Sequence, residues 1–293
     1  MQDKVLELFS GIQVNREHGF IKPHKYLVLL LALRELRENK TSALAWNESS
    51  SKIERLIEQF NNKKNVNAKN PFFRLSSDAI WEVTPKFDAE AKFSDLQREN
   101  PVGKLSSEVE IQLLQNPELF ARVIRLILDT AFTDSIYEDV LVAVGFDPHE
   151  ILYANPFTVL DIAKRRRDPQ WPRKILQAWE NQCAFCGYDG KIDNTPVGID
   201  AAHIRWFNQE GPDELDNGLA LCTLHHRLLD RGVLGFRDPE TLTVSASFAA
   251  VSESGKRVYD LHDSKLEPRI GTELPAIEYV EWHTENIFRG ETL

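Results

Sequence analysis

Apolar positions recur at helical intervals through most of the first 150 residues. Residues 5–12, 25–36, 106–115, 117–130 and 135–144 each predict a helix, with Pro23 as a start signal ahead of the second. Residues 50–61 add another, whose apolar face is Ile53, Leu56, Ile57 and Phe60. Residues 72–75 and 80–83 are shorter apolar runs on either side of Ser76, Ser77 and Asp78, and predict two strands around a turn. Composition changes after Gly145, where Pro148, Pro156, Pro169 and Pro172 punctuate a connector and residues 173–180 predict a helix leading out of it. From Cys183 to about Phe236 the pattern predicts a short hairpin, a loop, a strand ending at His203 and a helix starting near Thr223. The tail beyond Thr241 alternates at Leu242, Val244, Val258 and Tyr259 and is expected to pack around that module. The reading is an α+β protein: a mostly helical domain over residues 1–150, a basic linker over 151–174 and a smaller mixed domain over 175–293.

A length of 293 residues suits two domains. Apolar runs such as residues 26–33 are too short to cross a membrane, so no membrane partner is expected. The chain does not open on a basic stretch followed by an apolar core, so no secretory leader is expected either. A net charge of −10 argues at first against nucleic acid, but phosphate contact depends on local patches. Residues 61–77 hold Lys63, Lys64, Lys69 and Arg74 and no acid. Lys164, Arg165, Arg166, Arg167, Arg173 and Lys174 surround the single Asp168. One such run is ordinarily a solvated loop; two of them, one beside the second domain, favour DNA.

All three cysteines fall in one short window, as Cys183-x-x-Cys186 and then Cys222-x-x-His225. A two-residue gap lets both donors of a knuckle face one tetrahedral ion, so the pattern predicts a structural Zn²⁺ on Cys183, Cys186, Cys222 and His225. With every cysteine engaged there is none left for a disulfide, and a reducing, cytoplasmic compartment is expected. Four protein donors close such a site to chemistry, so any catalysis belongs to other groups. His203 and His226 stand close by, and three histidines within 24 residues beside the knuckles are poorly explained by chance.

Ala201-Ala202-His203-Ile204, Asp216-Asn217-Gly218-Leu219-Ala220-Leu221-Cys222 and His225-His226, set between and after the knuckles, resemble the HNH (ββα-metal) nucleases over about 55 residues, 182–236. The resemblance implies a zinc-stapled ββα-metal domain. By it His203 is the general base, Asn217 orients the base or its loop, and His226 holds a catalytic Mg²⁺ or Mn²⁺. Asp230, one turn after His226, shares its face and is expected to be a second cation ligand or its outer partner, or else a simple surface residue. Where many of these enzymes carry an aspartate directly before the first histidine, this chain has Ala202; Asp200, three residues from His203 on the strand, is expected to face the other way.

The first half carries Phe20-Ile21-Lys22-Pro23-His24-Lys25-Tyr26, Asn70-Pro71-Phe72-Phe73-Arg74-Leu75 and Ile80-Trp81-Glu82-Val83. With the second module, these resemble the modification-dependent restriction endonucleases that read phosphorothioated DNA through a sulfur-binding domain. The implied partner is double-stranded DNA whose phosphate carries sulfur. That atom is larger and less hydrated than oxygen and suits an apolar cup. The family builds its cup on a Tyr-Phe-Pro-like segment. Here it reads Ala131-Phe132-Thr133, with Phe132 in the aromatic's place and Ala131 and Thr133 where tyrosine and proline would stand. Arg74 is the best candidate for a base or phosphate contact, and Lys25 and Thr133 join it as expected DNA contacts.

Three readings compete. The first is a modification-dependent nuclease, for which cutting both strands would call for two sites and hence a homodimer on DNA. The second is a zinc-stabilised DNA-binding protein that does not cut, which leaves His203 and Asn217 unexplained. The third is an HNH nuclease that reads a modified base. A zinc deaminase is set aside, because His203-Ile204-Arg205 lacks the glutamate that class requires.

Overall fold

The spine of the first half is the His24–Asn39 helix, in which Leu27, Leu29, Leu30, Leu33 and Leu36 are all buried. Residues 26–33 of this helix are buried without a break, and a stretch apolar on every side must be surrounded. In this computed structural model, which describes residues 2–14, 16–17, 20–62, 66–152, 168–268 and 270–293, the surrounding elements are the Trp46–Phe60, Lys69–Arg74, Pro117–Ala131 and Tyr137–Val144 helices. Local chemistry sets their ends. Asn116 accepts the Leu119 amide at 2.9 Å and Pro117 opens the helix behind it. Gly145, at φ 102°, closes the Tyr137–Val144 helix in the left-handed region. The described residues divide into two compact units, one within Met1–Asn61 and Asn65–Ile162 and the other within Asn62–Lys64 and Ala163–Leu293.

One predicted strand is a helix. Residues 72–75 belong to the Lys69–Arg74 helix and the 3₁₀ turn Leu75–Ser77 that follows it. Phe72, Phe73 and Leu75 are all buried, and a four-residue segment with three apolar positions is too short to distinguish a strand from a buried helix. Pro71 in the first turn and Asn67, whose side chain accepts the Asn70 amide, decide it for the helix. The other predicted strand stands, as Trp81–Thr84. Its partners lacked a sequence signal: Val102–Leu105 pairs with it antiparallel and with Leu44–Ala45 on the far side. Gly103 hides the alternation of Val102–Leu105, and it is glycine because a Cβ there would stand 2.4 Å from the Trp81 ring.

The second unit is built on an antiparallel hairpin, Ile199–His203 against Gly218–Cys222, with the Thr223–Asp230 helix running straight out of Cys222. The strand ends at His203 and the helix starts at Thr223, as the pattern required. A small hairpin, Lys191–Ile192 with Thr195–Pro196, precedes them. Ile175, Phe185, Leu219, Leu221, Leu229 and Leu242 share one core with residues of the tail. In that tail, Leu242–Val244 pairs with Leu234–Phe236 at the module's end, and a helix, Ile277–Asn286, follows that the short alternating stretches did not announce. No helix among the described residues is long and apolar enough to cross a membrane.

Candidate metal centre and active site

Cys183, Cys186, Cys222 and His225 offer ligand atoms that all lie within 4.8 Å of one another. The first knuckle turns tightly: Gly187, at φ 70°, donates its amide to the Cys183 carbonyl at 2.8 Å. Ala184 donates to the Ala220 carbonyl at 2.8 Å, so the knuckle is laced to the hairpin that ends in Cys222. His225, one turn into the helix, brings Nδ1 to 3.4 Å from the Cys183 sulfur and 3.3 Å from that of Cys222. Crowded donors share protons. Donation from Cys222 and from His225 holds the Cys183 thiol down to about 3, while Cys222, the donor in that bond, keeps its proton more tightly and is pushed up. A cation with affinity for thiolate replaces those protons.

His203 closes its strand opposite Gly218. Its Nε2 lies 2.8 Å from Asp213 Oδ1, and the Trp171 ring stacks on its face at 3.7 Å and 14°. Phe207 approaches at 5.8 Å, and the side chain is 9% exposed. Trp171 begins the Trp171–Ala178 helix and is anchored by its indole N–H on the Glu214 carbonyl at 2.9 Å. Asn217, fully buried, does not reach for the imidazole. Its Oδ1 accepts the Arg205 amide at 2.9 Å, and its Nδ2 donates to the Arg205 and Pro212 carbonyls at 3.1 and 2.9 Å. One amide thus closes the loop that carries Asp213. Gly211 permits the closure, since a Cβ there would stand 1.8 Å from the Arg205 carbonyl oxygen.

Gly218 makes room for the stack. A Cβ at that position would lie 2.3 Å from Ile175 and 2.8 Å from the Trp171 ring. Overpacking of this kind costs about 1–3 kcal/mol. Gly218→Ala is expected to lower the melting temperature of the second unit and to displace Trp171 from His203, read as a change in tryptophan fluorescence. An unchanged melt and spectrum would show that the pocket absorbs the methyl group.

Asp200 faces away from His203, as strand alternation requires, and there it meets another histidine. Asp200 shares the His203 strand, and its Oδ2 lies 3.4 Å from Nδ1 of His226, which arrives from the helix crossing the hairpin. On the other ring nitrogen, Nε2, Asp230 Oδ2 stands at 3.2 Å, and Trp206 donates to Asp230 Oδ1 at 2.7 Å. Burial opposes charge on His226, yet Asp230 and Asp200 outweigh it and carry the imidazole up to about 10. Asp200, Asp213 and Trp171 are the site residues that the sequence did not nominate.

The expected DNA contacts of the first unit fare unevenly. Arg74 is exposed at the end of the Lys69–Arg74 helix, not on a strand, and Thr133 is half-buried. Lys69 donates to the Ala91 carbonyl at 3.1 Å. Lys25 is spoken for: its ammonium meets Asp78 at 2.7 Å and the Gln13 carbonyl at 2.7 Å, so its charge is already balanced inside the unit. Phe132 is a correction as well. Its ring is 1% exposed and packs edge-on against Phe60 at 6.0 Å, because the chain turns inward where the Pro117–Ala131 helix ends. It forms core and offers no face to a duplex. Lys63, Lys64, Lys164, Arg165, Arg166 and Arg167 lie outside the described residues.

Residues 2–149 match the model of a family described as ScoMcrA-like, DNA sulfur-binding domain, and residues 183–237 match that of an HNH endonuclease. No curated protein matches the chain. Among solved structures, the sulfur-binding domain of SprMcrA complexed with phosphorothioated DNA is 18% identical, covers 50% of this chain and 94% of its own, and superposes with a TM-score of 0.42. The sulfur-binding and SRA domains of ScoMcrA, also complexed with phosphorothioated DNA, are 16% identical over 67% of either chain with a TM-score of 0.45. The modification-dependent TagI restriction endonuclease is 21% identical, with a TM-score of 0.32, over 41% of this chain and 38% of its own.

Proposed function

Since the chain belongs to the ScoMcrA-like, DNA sulfur-binding domain family and carries an HNH endonuclease module behind it, we propose that it is a modification-dependent restriction endonuclease that binds phosphorothioated double-stranded DNA and hydrolyses its phosphodiester bonds. The reader occupies residues 1–150, the linker 151–174 and the nuclease domain 175–293. The observation that carries the reading is the union, on one ββα scaffold, of a four-donor metal cluster with His203 braced at the strand end.

The cluster holds Zn²⁺. Three thiolates and an imidazole in mutual contact are a soft, tetrahedral donor set that closes around that ion and leaves it a structural task. His203 takes the proton of the attacking water, and Asn217 keeps the loop behind it shut. His226 and Asp200 hold a catalytic Mg²⁺ or Mn²⁺. Their facing atoms stand 3.4 Å apart, as two ligands of one ion do, while Asp230 braces the far nitrogen as outer partners of metal-bound histidines commonly do. When bound, that cation neutralises the charge developing on the scissile phosphate. Arg74, Lys69 and Thr133 contact the duplex in the reader. Cutting both strands calls for a second active site, supplied by a second copy on the same duplex.

The test is a cleavage assay on matched plain and phosphorothioated duplexes with Mg²⁺ or Mn²⁺. Expected are products from the sulfur-bearing duplex alone and weaker binding of it by Arg74→Ala. Binding without cutting under either ion would favour the non-enzymatic, zinc-stabilised alternative. Equal cutting of both duplexes would remove sulfur from the reading, and a base modification would then be the mark to test.

A further inference from the structure

The Asp213–His203 pair is a constrained polar contact to which the proposed reaction gives no chemical role. We propose that Asp213 is the positioning residue of the nuclease site. It fixes the tautomer of His203 and balances the charge that ring acquires during the reaction. This rests on the reading of His203 as the general base.

The contact admits one polarity. An ionised carboxylate only accepts, so at 2.8 Å Asp213 Oδ1 takes the N–H of His203 Nε2. The proton removed from water therefore goes to the ring's other nitrogen, Nδ1. A water O–H bond breaks and an Nδ1–H bond forms. The hydroxide oxygen bonds to phosphorus as the P–O bond to the leaving oxygen breaks, and that oxygen departs with the bonding pair and takes a proton from solvent. The ring that results is an imidazolium, and the carboxylate on its far edge stabilises it, the service an orienting aspartate gives a catalytic histidine elsewhere.

Asp213 is itself held in place. Its second oxygen, Oδ2, accepts the Asp168 backbone amide at 2.6 Å. Asn217 grips the carbonyl of the neighbouring Pro212 at 2.9 Å. Trp171 covers the imidazole face, and its indole N–H is tied to the carbonyl of Glu214, the residue after Asp213. Ring plane, ring edge and carboxylate are thus fixed from three directions, with the side chain still 9% exposed. Water penetrates such a site poorly, and a charge-assisted bond there counts for more than at a surface.

The experiment uses the full chain. Asp213→Asn and Asp213→Ala are compared with wild type by single-turnover cleavage of a phosphorothioated duplex with Mg²⁺. The tautomer of His203 is read by long-range ¹H–¹⁵N correlation, its ring signals identified by their loss in His203→Ala. Expected is an Nε2–H ring in wild type, mixed tautomers in Asp213→Ala, and cleavage about 10²-fold slower with duplex affinity within about twofold. Asp213→Asn, which keeps an acceptor oxygen but no charge, should retain the tautomer better than the rate. A wild-type ring protonated on Nδ1, or variants that cut at the wild-type rate, would overturn the proposal. Wild type that cuts no duplex would instead sink the nuclease reading, and the tautomer measurement would still decide the contact.

Discussion

Cys222→Ala is expected to leave the second unit without a cooperative unfolding transition while the first still melts. Cys222 is the last residue of the Gly218–Cys222 strand and immediately precedes the helix that carries His225 and His226, so it joins hairpin, knuckle and helix at one atom. A structural zinc site contributes about 10–16 kcal/mol to the folding of the peptide around it. A whole domain is stable by about 5–15 kcal/mol, so loss of such an ion would offset most or all of the stability of the unit built on the Leu219, Leu221 and Leu229 core. Differential scanning calorimetry with metal analysis reads it directly: one transition disappears, and zinc falls from one ion per chain to none. Chelation of wild type should reproduce the trace. A second unit that still melts cooperatively, metal-free, would show that the tail-extended core suffices and that the cluster is not the staple.

What the sequence made legible followed from short-range rules. Two donors per knuckle, a strand ending at His203 and a helix opening at Thr223 each occupy a few consecutive residues, and all three are where the pattern put them. The long leucine-rich helix was legible for the same reason. The failures share a cause too. Asp200 was assigned away from the site because strand alternation sets it opposite His203, a rule that holds along the strand. His226, however, comes from another element and meets the face that Asp200 occupies. Asp213 and Trp171 converge on His203 through a loop closed by Asn217 and a helix arriving from the connector, and no local periodicity encodes either encounter. Phe132 misled because its chemistry suits a cup and a core equally. Only the inward path of the chain after Ala131 separates the two. Residues 72–75 failed for want of length: four positions, three of them apolar around Arg74, are too few to carry a period.

His203→Ala is expected to slow cleavage of a phosphorothioated duplex by about 10²–10⁴, the range a positioned general base supplies. Affinity for the same duplex should be unchanged, because binding is assigned to the other unit. The comparison that gives this result its meaning is Asn217→Ala. Asn217 satisfies three backbone groups and touches no reacting atom in the mechanism proposed. Its loss leaves buried partners unpaired at about 1–3 kcal/mol each, so that variant should melt early and lose activity through its fold. Removing the His203 side chain breaks the bond to Asp213 Oδ1, but Asp213 Oδ2 keeps the Asp168 amide, and Trp171 beside the gap is held independently by Glu214. The two histidine-site variants should therefore separate on stability while agreeing on activity. Equal loss of melting temperature in both would mean that His203 acts through packing against Trp171, and the assignment of a base to that ring would have to be withdrawn.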